Sequence, residues 1–226
     1  MRNKLYIYSA AIGILGLLCP SASASMELTL TSGGTTVTVN DNGVGDADST
    51  TDVVAFIGNV GNWHIVATGT VGTNPLIDLN AVVSLNTLPG TGTNALTLQF
   101  SATDFANPSS TNLIGQIGGT VGNGQALSYS TYLNANDLLN ATQTLIGGTT
   151  MSFTPGSFEG TTIGSLSGPS ELVSLTQIVT VSGSQKGLTS FNGAVDATVP
   201  EPAAMVMLGT MLLMAGPLMR KKLHRA

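Results

Sequence analysis

The sequence predicts an all-β fold, an antiparallel β-sandwich or jelly-roll-like domain, and three observations carry that expectation. Apolar and polar residues alternate over short runs, most regularly at Leu96, Leu98 and Phe100 with Thr97, Gln99 and Ser101 between them. Turn dipeptides separate the runs. The composition joins 42% hydrophobic residues to only 8% charged ones. Period-2 alternation fits a strand with one buried face. That much apolar surface with so little charge is the opposite of the signature of disorder.

Taken in order, the chain opens with Arg2 and Lys4, then an almost unbroken apolar run from Leu5 to Cys19, then Pro20 and Ser21 as a helix break. Ala22-Ser23-Ala24 sets small residues where signal peptidase requires them. Residues 1–24 therefore read as a secretory signal peptide cut between Ala24 and Ser25. The run is shorter than the roughly 20 residues of a spanning helix, which argues against an uncleaved anchor. Leu18 before Cys19 and Pro20 after it argue against a lipidated cysteine.

Residues 25–198 form the expected domain, long enough for one real core. Strand-length runs recur at Met26-Leu28-Leu30, Val37-Val39, Val54-Phe56, Trp63-Ile65-Ala67, Met151-Phe153, Val179-Val181 and Val195-Ala197-Val199. Turns are expected at Asn42-Gly43, Pro89-Gly90, Asn123-Gly124, Pro155-Gly156 and Asn192-Gly193, where the residues supply or preset the required φ. Leu133 to Ile146 carries apolar residues near helical spacing, which predicts a short helix or helical loop. Gly115 to Gly124 reads as a long mobile loop. No fixed repeat is present, which disfavours a solenoid.

Charge in this segment is one-sided. Of the seven Lys and Arg only Lys186 lies in it, against eleven of the twelve acids. Nucleic-acid binding, which needs cations on phosphates, is excluded. Cys19 is the single cysteine and leaves with the signal peptide, so no disulfide is available to the domain.

Candidate chemistry is sparse. Asp41, Asp46, Asp48 and Asp52 crowd one Gly-containing loop and are the candidate calcium ligands, although starting an EF-hand at Asp41 puts glycines at ligand positions. The default for that loop is a solvated turn, and no other cofactor is expected. Trp63 is the candidate carbohydrate platform, yet its alternation with Ile65 and Ala67 favours the core. His64, its neighbour, has no nucleophile-elbow motif to serve, since Gly164-Ser165-Leu166-Ser167-Gly168 sets its serines wrongly. Glu159 and Glu171 flank a Gly/Ser stretch with nothing to pair them as glycosidase acids. Gly90 to Ala95 precedes a strand rather than a helix, which removes a dinucleotide fingerprint. Thr-x-Thr pairs at Thr29/Thr31, Thr36/Thr38, Thr68/Thr70 and Thr91/Thr93 resemble water-ordering ranks, without a repeat to align them. No catalytic set emerges, so the expectation is a protein that is not an enzyme.

The chain ends on Val199-Pro200-Glu201-Pro202, an apolar run from Ala203 to Met219, and the basic Arg220, Lys221, Lys222 and Arg225 with Leu223 and His224 among them. At 1.5 Å per residue the run spans ~25 Å, enough for a short membrane helix, and the basic flank belongs on the cytoplasmic side. Residues 199–226, as motif 199–202, helix 203–219 and basic end 220–226, resemble the PEP-CTERM sorting signal. Pro200, Glu201 and Pro202 match its recognition motif, while frequent Met and Pro217 depart slightly from its helix. An ordinary single-span anchor shares the helix and flank but has no need of Pro-Glu-Pro. The resemblance implies a Gram-negative bacterial protein handled by signal peptidase and an exosortase. It would be tethered briefly in the inner membrane, then released or transferred to the outer surface, exopolysaccharide or biofilm matrix. The β-rich body, with its Asp41 to Asp46 loop, Gly58 to Trp63, Leu76 to Asn80 and Ser174 to Thr176, is also similar to ectodomains of that group. The functional expectation is a structural or adhesive surface component; the alternative is a module binding calcium, carbohydrate or ice.

Overall fold

The computed structural model describes residues 24–72, 76–86, 94–106, 112–165 and 172–198. Its strands are β1 (Met26–Ser32), β2 (Thr35–Asn40), β3 (Val53–Val60), β4 (Trp63–Val71), β5 (Leu76–Leu85), β6 (Asn94–Ala106), β7 (Asn112–Val121), β8 (Gln125–Asn134), β9 (Thr144–Leu145), β10 (Met151–Phe153), β11 (Gly156–Ser165), β12 (Leu172–Gly183) and β13 (Leu188–Thr198). A single 3-10 turn occupies Ile146–Gly148. The expected signal peptide lies outside the described residues up to position 23, and so do Pro89-Gly90, Glu171 and the whole sorting tail with Pro200, Glu201, Pro202 and its basic end. Among the described residues no helix is long and apolar enough to cross a membrane.

The strands make two antiparallel sheets. The first runs β10-β8-β12-β6-β1-β2, with β9 also on β8, and the second runs β11-β7-β13-β5-β4-β3. Strands β5 and β6, β7 and β8, β10 and β11, and β12 and β13 are sequence neighbours on opposite sheets. The central pairs β5–β13 and β6–β12 are flanked by β7 and β8 and then by β11 and β10, which is jelly-roll connectivity. The hairpins β1–β2 and β3–β4 widen each sheet at one side. The sandwich expectation holds, and its inner faces follow from the alternation: Leu28, Leu30, Leu96, Leu98, Phe100, Trp63, Ile65, Ile77 and Leu79 are all fully buried. Phe100 fits over Gly69, where a Cβ would stand 2.5 Å from its ring.

Three local expectations fail. Gly115 to Gly124 is not a long loop: β7 runs to Val121, and only Gly122, Asn123 and Gly124 form a turn. Its alternation is hidden because Gly115 and Gly119 take inward positions between Leu113, Ile117 and Val121. Glycine is required there because Thr131 and Thr162 fill the space over Gly115, and a Cβ on Gly119 would meet the Ser190 carbonyl at 2.1 Å. Asn192-Gly193 is likewise no turn but the middle of β13, where Gly193 leaves room for the Tyr129 ring.

Leu133 to Ile146 forms no α-helix. β8 ends at Asn134, and the connection folds back along the first sheet with Asp137 and Asn140 at positive φ, 54° and 59°. Asn140 N donates to Ser101 Oγ at 2.9 Å, Gln99 Nε2 donates to Asn140 O at 3.1 Å, and Ser174 Oγ donates to Leu138 O at 2.7 Å. These bonds replace the i to i−4 ladder a helix would have used.

Both ends of the described domain share one end of the sandwich. Met26 pairs with Ala102 near the end of β6, and Thr198 pairs with Asn112 at the start of β7, the next strand.

Candidate functional site

Asp46 is a hub of backbone capping: its carboxylate accepts from Asn42 N at 2.8 Å, Asp48 N at 3.1 Å and Ala55 N at 2.8 Å. Asp48 accepts from Thr50 N at 2.8 Å, and bonds to Thr50 hold its carboxyl below the ordinary carboxylate range. Asp41 accepts from Asp52 N at 3.1 Å and from Asn42 Nδ2 at 2.9 Å. Among the described residues no three acids, histidines or cysteines gather to hold a metal ion. Against the calcium expectation for Asp41, Asp46, Asp48 and Asp52, the carboxylates of Asp41, Asp46 and Asp48 are aimed at amides, as in Asx turns, and Asp52 joins them through its own backbone amide, donated to Asp41. The loop has a structural role. Ala47 N donates to Ala55 O at 2.9 Å while Ala55 N donates to Asp46, so it covers part of the β3 edge that would otherwise invite a foreign strand.

Trp63 is 0% exposed, at the head of β4 in the core, and its Nε1 has no hydrogen-bond partner among the described residues. A ring buried on both faces cannot stack on a sugar, so the carbohydrate platform expected at Trp63 is corrected too. His64 points outward, with Nδ1 at 3.2 Å from Asn59 Oδ1. Ser84, directly opposite on β5, sends its hydroxyl to Asn86 Oδ1 at 3.2 Å.

Of the Thr-x-Thr pairs, Thr29/Thr31 and Thr36/Thr38 align through strand register in place of sequence repeat, Thr68/Thr70 lie on the other sheet, and Thr91/Thr93 lie outside the described residues. On the outer face of the first sheet Thr36, Thr31, Thr97, Thr180, Ser128 and Ser152 fall on one line across six strands. Neighbours bond to each other, Thr31 to Thr36 at 3.1 Å and Thr97 to Thr180 at 3.2 Å. Their hydroxyls are largely satisfied within the rank.

A concavity lies on the outer face of the second sheet, over β13, β7 and β11. It is an open groove of about 700 Å³ walled by Gln116, Glu159, Thr161 and Asn192, with Gly118 and Ala194 as small residues between them. Register explains its shape. One row across the sheet reads Thr68, Asn80, Asn192, Gly118, Glu159, and the next reads Thr70, Asp78, Ala194, Gln116, Thr161. In each row a small residue separates longer polar ones, and the two small residues sit diagonally, so a trough crosses the strands. Its walls present amides that donate and accept, a hydroxyl, and the acceptor-only carboxylate of Glu159.

Asp78 flanks the trough on the β5 side and accepts from Asn192 Nδ2 at 3.3 Å. Burial pushes its carboxyl above the ordinary range, with the Asn192 bond opposing. Beneath the trough, Tyr129 crosses the core: its hydroxyl lies 3.1 Å from Gln177 Oε1 and 3.3 Å from Ala194 O. Gln177 Nε2 in turn donates to Ile77 O at 2.8 Å. This buried bridge ties the first sheet to the backbone that floors the groove, and burial with Asp78 nearby pushes the Tyr129 hydroxyl far above its ordinary pKa.

Sequence reasoning singled out Glu159 but neither Gln116, Asn192 nor Asp78. The outward positions of Gln116 and Asn192 depend on reading β7 and β13 through their glycines as strands, and Asp78 joins them only through the register of β5 with β13.

No protein-family model matches the chain, and no curated protein matches it in sequence. Among solved structures it is similar to the carbohydrate-binding module TmCBM61 in complex with β-1,4-galactotriose, at 7% identity and TM-score 0.33, covering 63% of this chain and 92% of that one. The enzymatically active domain of bacteriophage CBA120 tailspike protein 4 aligns at 13% identity and TM-score 0.33 over 62% of this chain and 20% of that one. The K1 cleaved adhesin domain of Lys-gingipain from Porphyromonas gingivalis aligns at 10% identity and TM-score 0.30, over 66% and 98%.

Proposed function

We propose that this chain is an exported cell-surface or extracellular-matrix protein whose β-sandwich holds polysaccharide in the groove over β13, β7 and β11, as an adhesive component and without catalysis. The observation that carries the binding reading is the groove itself, an open trough with amide, hydroxyl and carboxylate walls over glycine and alanine. Sugars offer many hydroxyls that both donate and accept, and such walls answer them without demanding deep burial.

Export and sorting are supported by the two ends. The signal-like segment stops at Ala24, immediately before Ser25 and β1. The Pro200-Glu201-Pro202 motif begins two residues after Thr198 closes β13, so an exosortase cut there removes none of the described strands. With both ends at one pole of the sandwich, a tether at residues 203–219 leaves the groove on a side wall, open to the matrix.

The test is affinity electrophoresis of residues 25–198, which contain every described strand, through gels loaded with soluble polysaccharides of varied charge and linkage. Retardation by at least one of them, lost on Gln116→Ala/Asn192→Ala, is expected. Equal migration of wild type and variant in every gel contradicts the reading.

A further inference from the structure

We propose that this groove selects amine-bearing polysaccharide, chains of glucosamine-type units, over neutral and uronate-bearing chains. The inference rests on the groove being the polysaccharide site. Charge favours such a ligand. Between residues 25 and 198 eleven acids face one basic side chain, Lys186, and that lysine sits in the β12–β13 turn, away from the groove rows. An anionic polymer approaching this domain meets like charge throughout, whereas a polycation is drawn in.

The groove repeats the pattern locally. Glu159 stands on β11 at one side and Asp78 on β5 at the other, with β7 and β13 between them. Three strand spacings and a two-residue offset along the strands put their backbones roughly 16 Å apart. That exceeds a physiological Debye length of about 8 Å, so each carboxylate acts on its own section of a bound chain. The separation also suits a polymer better than a single amine.

Asp78 is half-buried and shares its carboxylate with a neutral amide, Asn192. Burial raises its pKa, and with Lys186 in the β12–β13 turn the carboxylate has no compensating cation among the described residues. A ligand ammonium supplies that cation and a charge-assisted hydrogen bond at once. Gln116, Thr161 and Asn192 remain to bind the sugar hydroxyls between the two acidic points.

The experiment is calorimetric titration of residues 25–198 with two hexamers of equal length and linkage, one of glucosamine and one of N-acetylglucosamine. Measurements run from low to physiological salt on wild type, Asp78→Asn, Glu159→Gln and Asn192→Ala. The expected result is about tenfold or greater preference for the amine hexamer at low salt, shrinking with added salt and falling several-fold in each acid-to-amide variant. Equal or tighter binding of the acetylated hexamer, still lost in Asn192→Ala, overturns the amine preference and leaves the groove as a polysaccharide site. Failure of both hexamers to bind overturns the preference too, and the electrophoresis panel then decides separately whether the groove takes any sugar. Preference for the amine hexamer that survives both acid-to-amide substitutions also overturns the assignment to Asp78 and Glu159.

Discussion

The two halves of this sandwich are held together differently. Around β1, β4, β5 and β6 the sheets meet through large apolar side chains: Leu28, Leu30, Leu98, Phe100, Ile65 and Leu79 are all fully buried. Around β7, β8, β11 and β13 the second sheet offers Gly115, Gly119, Gly160 and Gly193 to the interior. The first sheet fills the gap with Tyr129, Thr131 and Gln177. Glycine lets the sheets approach and lets polar side chains reach across to the opposite backbone. The cost is a buried hydrogen-bonding group for each such chain, which Tyr129 and Gln177 satisfy and the Thr131 hydroxyl does not among the described residues. The same glycine-rich half carries the groove on its outer face, since Gly118 empties the trough as Gly115 and Gly119 empty the core. Close packing inside and a hollow outside come from one compositional habit.

The largest effect is expected in the apolar half. Phe100→Ala removes a fully buried ring and should cost about 3–5 kcal/mol, read as a fall in denaturant midpoint at unchanged slope. In the glycine half, Gly119→Ala forces a Cβ against the Ser190 carbonyl and should cost about 2–3 kcal/mol, comparable to overpacking. A mobile loop at 115–124 would leave that substitution silent, so it separates the two descriptions of β7 directly.

Next is Gln177→Leu, which removes one of the two acceptors of the Tyr129 hydroxyl and the side-chain donor to the Ile77 carbonyl, and should cost about 1–3 kcal/mol. The companion Tyr129→Phe/Gln177→Leu should recover part of it. Equal losses in single and double variants would mean the bridge is not a unit. Outside the core, Asp46→Ala should cost about 1–2 kcal/mol by freeing the three amides it caps, and millimolar calcium should leave the wild-type midpoint unmoved.

The smallest effect has the opposite sign. Because burial raises the Asp78 pKa, its charged form opposes folding above that pKa, so Asp78→Asn should raise Tm slightly at neutral pH. As pH falls through the raised value toward 3.8, the native carboxyl takes up its proton before the unfolded one does. The gap between variant and wild type should then close. A gap that widens on acidification contradicts the cause assigned to the shift.

The apolar half was legible in sequence. Leu96-Thr97-Leu98-Gln99-Phe100 alternates openly, and Trp63-Ile65-Ala67 falls on the buried face as the pattern requires. The glycine half was not, because a residue with no side chain gives no periodic signal and Asn-Gly reads as a turn wherever it stands. Asn192-Gly193 is mid-strand only because Tyr129, more than sixty residues earlier in the chain, needs the space over Gly193. The connection after Asn134 misled for a related reason: its apolar spacing resembled a helix, while Asp137 and Asn140 took positive φ and bonded to the first sheet. The acidic loop was visible as a cluster, but only the strand edge beside it shows that Asp46 is aimed at Ala55. The groove was invisible for want of register, which joins Glu159, Gly118, Asn192 and Asn80 from four separate strands.

The central claim is that the glycine-rich half carries the binding face, and backbone amide shift mapping of residues 25–198 during titration with a glucosamine hexamer tests it most directly. Shifts should concentrate at 116–118, 159–161 and 192–194, with Asp78 and its neighbours at the margin. Shifts confined to the hydroxyl ranks of the first sheet at 128–130, 152–154 and 180–182 would contradict it.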